Sequence, residues 1–145
     1  MRLIDTNIIL RYIAGDVPNQ AKAAYTVIQN IARGKEQAII LHNVIHETCY
    51  ALTSSTPGQG YNLTHRDARD RLLPILTLDG IQIIPDKKLA LQALDIFAQG
   101  EKIDFTDALL VAYVRNGTAD GIYTFDRRYD RIAGAHRIDP GEEAE

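Results

Sequence analysis

Five acids in this chain stand where an apolar run ends or an amphipathic helix begins: Asp5, Glu47, Asp104, Asp107 and Asp126. Asp5 directly follows Leu3-Ile4, and Asp126 closes the run Ile122-Tyr123-Thr124-Phe125. Glu47 lies one helical turn beyond Ala38-Ile39-Ile40-Leu41. Asp104 and Asp107 are three residues apart, which puts them on one face of a helix's first turn. Carboxylates gathered at one place repel one another, so such a cluster needs a neutralising cation. Hard oxygen donors suit Mg²⁺ or Mn²⁺ rather than Zn²⁺. The chemistry this points to is metal-assisted cleavage of a phosphodiester, with a metal-generated hydroxide and stabilised phosphate charge.

Taken singly, each acid also has a plainer role. Asp5 suits the cap of a helix over residues 6–14. Asp104-Phe105-Thr106-Asp107 reads as a capping box with Asp in place of Glu. Asp126 can open a turn, and Glu47 can be a solvated helix residue. Their joint placement at corresponding strand ends carries the functional reading.

The elements that must position them follow from periodicity. Arg2-Leu3-Ile4, Ala38–Leu41, Ile81–Ile84 and Gly121–Phe125 read as short buried strands, with an edge strand near His136-Arg137-Ile138. Between them fall helices over 6–14, from Pro18 to Arg33, from Asn43 past Leu52, from Thr64 to Leu76, from Pro85-Asp86 past Phe97, and from Asp104 to Arg115. The second helix presents Ala21, Ala24, Tyr25 and Ile28 to the core. The third presents Val44, Ile45, Thr48, Cys49 and Leu52, with Cys49 as core packing. Strands alternating with helices predict a three-layer α/β/α domain around a central, mostly parallel sheet. Ligands in such sheets bind beyond the carboxyl ends of the strands, where the topology switches.

The chain has 145 residues, 46% hydrophobic and 24% charged, with a formal charge of −3. Those values exclude a disordered tail and a collagen-like rod. The single cysteine, Cys49, excludes an intramolecular disulfide. The apolar stretches are too short to span a membrane, and the start meets an acid too early for a signal peptide, so a cytoplasmic domain is expected. One domain over 1–138 is expected, with 139–145 an acidic, frayed tail.

The motifs resemble those of the PIN-domain nucleases. The resemblance rests on Asp5-Thr6-Asn7 after the first strand, Val44-Ile45-His46-Glu47 with Tyr50-Ala51-Leu52, Asp104-Phe105-Thr106-Asp107-Ala108-Leu109-Leu110, and Thr124-Phe125-Asp126. It runs from residue 1 to about 131, and is strongest towards small prokaryotic PIN proteins of the VapC toxin type. It implies that Asp5, Glu47, Asp107 and Asp126 form an acidic quartet binding Mg²⁺ or Mn²⁺, with Asp104 as a fifth acid. It also implies an endoribonuclease held by a cognate antitoxin, and a homodimer. Some members of the family act as housekeeping nucleases or nucleic-acid-binding modules without a toxin role.

Thr6, Asn7 and Thr124 are placed to orient carboxylates by hydrogen bonding, though Thr6 and Asn7 equally suit helix capping. Arg11, Arg127, Arg128 and Arg131 either hold an RNA backbone or form a solvated basic face. His46 has no second feature to make it an acid or base. The loop Ser54–Asn62 reads as a mobile connector, with an arm over nucleic acid or a dimer contact as alternatives. A phosphotransfer domain is disfavoured, because no Asp-x-Asp follows the first strand and no Lys closely follows a late one. A binding-only module would lack some of the acids, and all are present.

Overall fold

The apolar runs of the sequence pair into one sheet in the computed structural model, which describes residues 1–84, 87–99 and 103–143. Its strands are β1 (Arg2–Ile4), β2 (Ala38–Leu41), β3 (Ile81–Ile84), β4 (Ile122–Tyr123) and β5 (Arg137–Ile138). They lie in the order β3-β2-β1-β4-β5, and each pairing is parallel. Leu3 sits opposite Ile39 on one side and Ile122 on the other. The chain steps outward from β1 to β3 and then returns to lay β4 against the free side of β1. The switch point therefore falls between β1 and β4.

Helices α1 (Thr6–Ala14), α2 (Pro18–Ala32), α3 (His42–Thr53) and α4 (His65–Leu76) fill the outward crossovers. Helices α5 (Lys87–Gln99) and α6 (Phe105–Arg115) fill the return. Right-handed crossovers taken in opposite directions place the two sets on opposite faces of the sheet. Accordingly α1 packs on α2 and α3, α3 on α4, and α5 on α6. The core is built from Leu3, Ile4, Ile8, Ile9, the whole of β2, and residues 106–114 of α6. That α6 is buried on all sides follows from its uninterrupted apolar sequence.

Several details differ from expectation. In α2 the buried face is Ala23, Ala24, Val27, Ile28 and Ile31, while Tyr25 is exposed and stacks on Tyr12. Helix α3 starts at His42 with Leu41 as its cap, so Asn43 lies inside it. Cys49 is exposed and borders a groove of about 440 Å³ between α3 and α4, together with His46, Tyr50 and Leu73. The predicted opening of α5 at Pro85-Asp86 lies outside the described residues. Pro140–Glu143 forms one more helical segment, α7, packed against α2, and residues 144–145 of the expected tail lie outside the described residues.

The loop after α3 is folded back on its own helix. Tyr61 N–H donates to Ala51 O, Asn62 N–H to Ser54 O, and Leu63 N–H to Leu52 O, all at 2.8–3.0 Å. Tyr61 Oη donates to Asp16 at 2.9 Å, and Arg11 donates to Tyr61 Oη, Gln20 and Asp16. These bonds strap the loop to the end of α1, in contrast to the mobile connector expected from its composition. Arg11 is used in the strap. A Cβ at Gly60 would lie 2.1 Å from the Ser54 carbonyl oxygen, so the loop closes only around glycine. Gly60→Ala is expected to cost about 1–3 kcal/mol as backbone is forced apart. Thermal melts check this, and an unchanged midpoint would show that the loop yields freely.

Candidate active site

Asp5 ends β1 and caps α1, which explains why a short apolar run followed by Asp-Thr-Asn folds as a strand running straight into a helix. Its Oδ1 accepts from the Thr6 amide at 2.8 Å. Its Oδ2 accepts from Thr124 Oγ1, on the segment just past β4, at 2.9 Å. The carboxyl lies across the switch point and is only 7% exposed. Burial, reinforced by the charges of Asp107 and Glu47, pushes its pKa up to about 7 against the hydrogen bonds that favour the anion.

The other acids attach to this one through short links. Thr6 Oγ1 donates to Glu47 Oε2 at 2.8 Å, so one threonine fixes both Asp5 and Glu47. Asn7 Nδ2 donates to Thr124 Oγ1 at 2.9 Å, and the Asp126 amide donates to the same oxygen at 3.1 Å. Thr124 is thus a buried hub between Asp5, Asn7 and Asp126. Asp107, buried at the start of α6, accepts from Tyr129 Oη at 2.6 Å. Burial raises the Asp107 carboxyl above the ordinary range. Asp104 caps α6: its Oδ1 accepts from the Asp107 amide at 2.8 Å, and Asp107 Oδ2 accepts from the Asp104 amide at 3.1 Å. This is the reciprocal capping box read in the sequence. Asp104 is exposed and touches the cluster through Asp107.

Asp126 caps a 3₁₀ turn over Arg127–Arg131 and meets Arg128 fork to fork. Arg128 Nη2 lies 2.6 Å and Nε 2.9 Å from Asp126 Oδ2. The guanidinium holds the Asp126 carboxyl below the usual range, and Nη2 reaches to 3.7 Å from Asp107. The site therefore gathers Asp5, Glu47, Asp107 and Asp126 with Thr6, Asn7 and Thr124 between them. His46 faces outward from α3, and Arg127 and Arg131 are exposed.

Sequence reasoning missed Tyr129, whose hydroxyl fixes Asp107 and whose ring is buried. Its signal was a lone large apolar residue among charges, three positions past a capping acid. It also treated Arg128 as one of a basic group, although its partner lies two residues away.

The donor set fits a hard divalent cation: four carboxylates, two of them buried, with no sulfur or imidazole donor among the linked residues. As the side chains stand, no three His, Cys, Asp or Glu among the described residues are disposed to hold a metal. The reason is visible in the hydrogen bonds, since Asp126 faces Arg128, Asp107 faces Tyr129 and Glu47 faces Thr6. A separate hollow of about 600 Å³ lies below the starts of the strands, lined by Met1, Arg2, Glu36 and Asp120. There the Met1 amine pairs with Asp120 and Arg2 with Glu36.

A parallel three-layer domain with acids at its switch point has a match among known families. The PIN domain model matches residues 2–135, and the chain belongs to that family. Two solved structures have the same fold. One is VapBC2 from Rickettsia felis, bound to a DNA fragment from their promoter. It is 17% identical over 94% of this chain and 96% of that one, with a TM-score of 0.67. The other is VapC20 of Mycobacterium tuberculosis, a sarcin-ricin loop cleaving toxin. It is 18% identical over 92% of this chain and 96% of that one, also with a TM-score of 0.67. No curated protein sequence matches the chain. Among the described residues no helix is long and apolar enough to cross a membrane.

Proposed function

We propose that the protein is an Mg²⁺- or Mn²⁺-dependent endoribonuclease and the toxin of a cytoplasmic toxin–antitoxin pair. The observation that carries this is the linkage of Asp5, Glu47, Asp107 and Asp126 across the switch point between β1 and β4. These four would hold the cation. Bound there, it supplies acidity to a water and neutralises charge on the scissile phosphate. The chain's own residues do the positioning. Thr6 and Thr124 hold Asp5 in place, Thr6 holds Glu47, Tyr129 holds Asp107, and Asp104 fixes the turn from which Asp107 projects. Burial of Asp5 and Asp107 keeps water from solvating their charge and strengthens their hold on a cation. Membership in the PIN family and the fold shared with the two VapC structures support the RNA substrate and the antitoxin partner.

The test is cleavage of structured RNAs by the purified chain. Activity is expected with Mg²⁺ or Mn²⁺ and is expected to vanish on chelation. Cleavage undiminished by chelator would sink the metal-dependent reading. A second reading, a nucleic-acid-binding or housekeeping PIN module without a toxin role, is favoured by the internal pairing of Asp126 with Arg128. It predicts RNA retention without cleavage, or cleavage without growth arrest on expression.

A further inference from the structure

Both oxygens of Asp126 are already engaged by one side chain. Arg128 Nε and Nη2 approach Oδ2 at 2.9 and 2.6 Å, Nε approaches Oδ1 at 3.1 Å, and the Arg128 amide donates to Oδ1 at 2.9 Å. The same Nη2 stands 3.7 Å from Asp107 Oδ2. The guanidinium thus sits between two of the four acids that would hold a cation, and it neutralises both. Its side chain is 56% exposed while those of Asp126 and Asp107 are 22% and 12% exposed. Of these three side chains the guanidinium is the one that faces water.

We propose that Arg128 is a tethered counter-cation that occupies the place of the divalent ion, so that metal binding is an exchange in which the guanidinium must leave. This rests on the metal-dependent reading above. A metal that uses Asp126 must take an oxygen from Arg128, and the stronger that charge-assisted fork, the weaker the apparent metal affinity. The device keeps the acid cluster folded and neutralised before the metal arrives. It also ties the metal's arrival to the release of an exposed, anion-seeking side chain at the mouth of the site.

The experiment is calorimetric titration of Mn²⁺ into the full chain, as wild type and as Arg128→Gln, with circular dichroism as the check on folding. Arg128→Gln is expected to bind Mn²⁺ about tenfold more tightly, because the competing cation is gone. Unchanged or weaker affinity in a folded Arg128→Gln protein overturns the proposal while leaving the metal-dependent reading intact. No Mn²⁺ binding by either protein overturns both. Should the Gln variant not fold, Arg128→Lys keeps the charge but loses the fork. A several-fold tightening there supports the exchange, and an unchanged affinity overturns it.

Discussion

Asp5→Asn is expected to give a protein that no longer cleaves RNA and yet, without metal at neutral pH, melts at a higher temperature than the wild type. The loss of activity follows from removing the charge at the centre of the linked acids. Changing residues that merely support a metal ligand costs about 10–100-fold, so removing a ligand's charge should cost at least about 100-fold. The gain in stability follows from burial. The Asp5 carboxyl is raised from 3.8 to about 7, so the folded chain holds a proton that the unfolded chain gives up. Between about pH 4 and 7 the folded state binds more protons than the unfolded one. The contribution of this group to stability therefore falls as pH rises through that window and levels off above it.

A rise of about three units corresponds to at most about 4 kcal/mol. Part of this is lost in the variant, because an Asn amide must turn its NH₂ towards either Thr6 N–H or Thr124 Oγ1, where Asp5 accepts from both. A net gain of about 1–3 kcal/mol remains at pH 8, or several degrees in melting temperature, shrinking to nothing near pH 4. Mn²⁺ should raise the wild-type midpoint and leave the variant's almost unmoved. A variant that melts at or below the wild type at pH 8 would refute the account of Asp5 as a buried, strained anion. Retained cleavage would refute the site.

Much of this was legible because strand ends and caps are local. Asp5, Asp104 and Asp126 each cap the element that follows them, and local backbone chemistry that a sequence displays determines those positions. The parallel sheet was legible because β1, β2 and β4 are short, apolar and separated by helical spacing. What failed were side chains at the boundary of a helix's buried face. Tyr25 and Cys49 fall within the apolar stripes by spacing and yet are exposed, whereas Val27 and Ile31 of α2 are buried in place of Tyr25, and Thr48 and Leu52 of α3 are buried as their spacing predicts. Which edge of a stripe is covered depends on the packing partner, and no local pattern reports that. Tyr129 escaped for a related reason: its partner Asp107 arrives from α6, some twenty residues earlier in the chain. The strap on the Ser54–Asn62 loop is likewise a meeting of Tyr61 with Asp16 and Arg11 on distant elements.

Thr124→Val is expected to be the most damaging isosteric change in the protein, although it alters neither volume nor charge. The Thr124 side chain is fully buried, and its hydroxyl serves three groups at once. It donates to Asp5 Oδ2 at 2.9 Å and accepts from Asn7 Nδ2 at 2.9 Å and from the Asp126 amide at 3.1 Å. A methyl in its place leaves a buried carboxylate oxygen, an amide NH₂ and a backbone N–H without that partner. An orphaned buried polar group costs about 1–3 kcal/mol, more when charged, and the three losses are not independent. A total of about 3–5 kcal/mol is expected, lowering the midpoint by roughly 10 °C or more. Thr124→Ser separates this from a packing effect, since serine keeps the hydroxyl and loses only a methyl, at about 1 kcal/mol. Thr124 also lowers the Asp5 pKa, so its removal should push that carboxyl higher still and shift Mn²⁺ binding by Thr124→Val to higher pH. A valine variant as stable as wild type would mean that water replaces the hydroxyl at the switch point, and that the acids are held by burial alone.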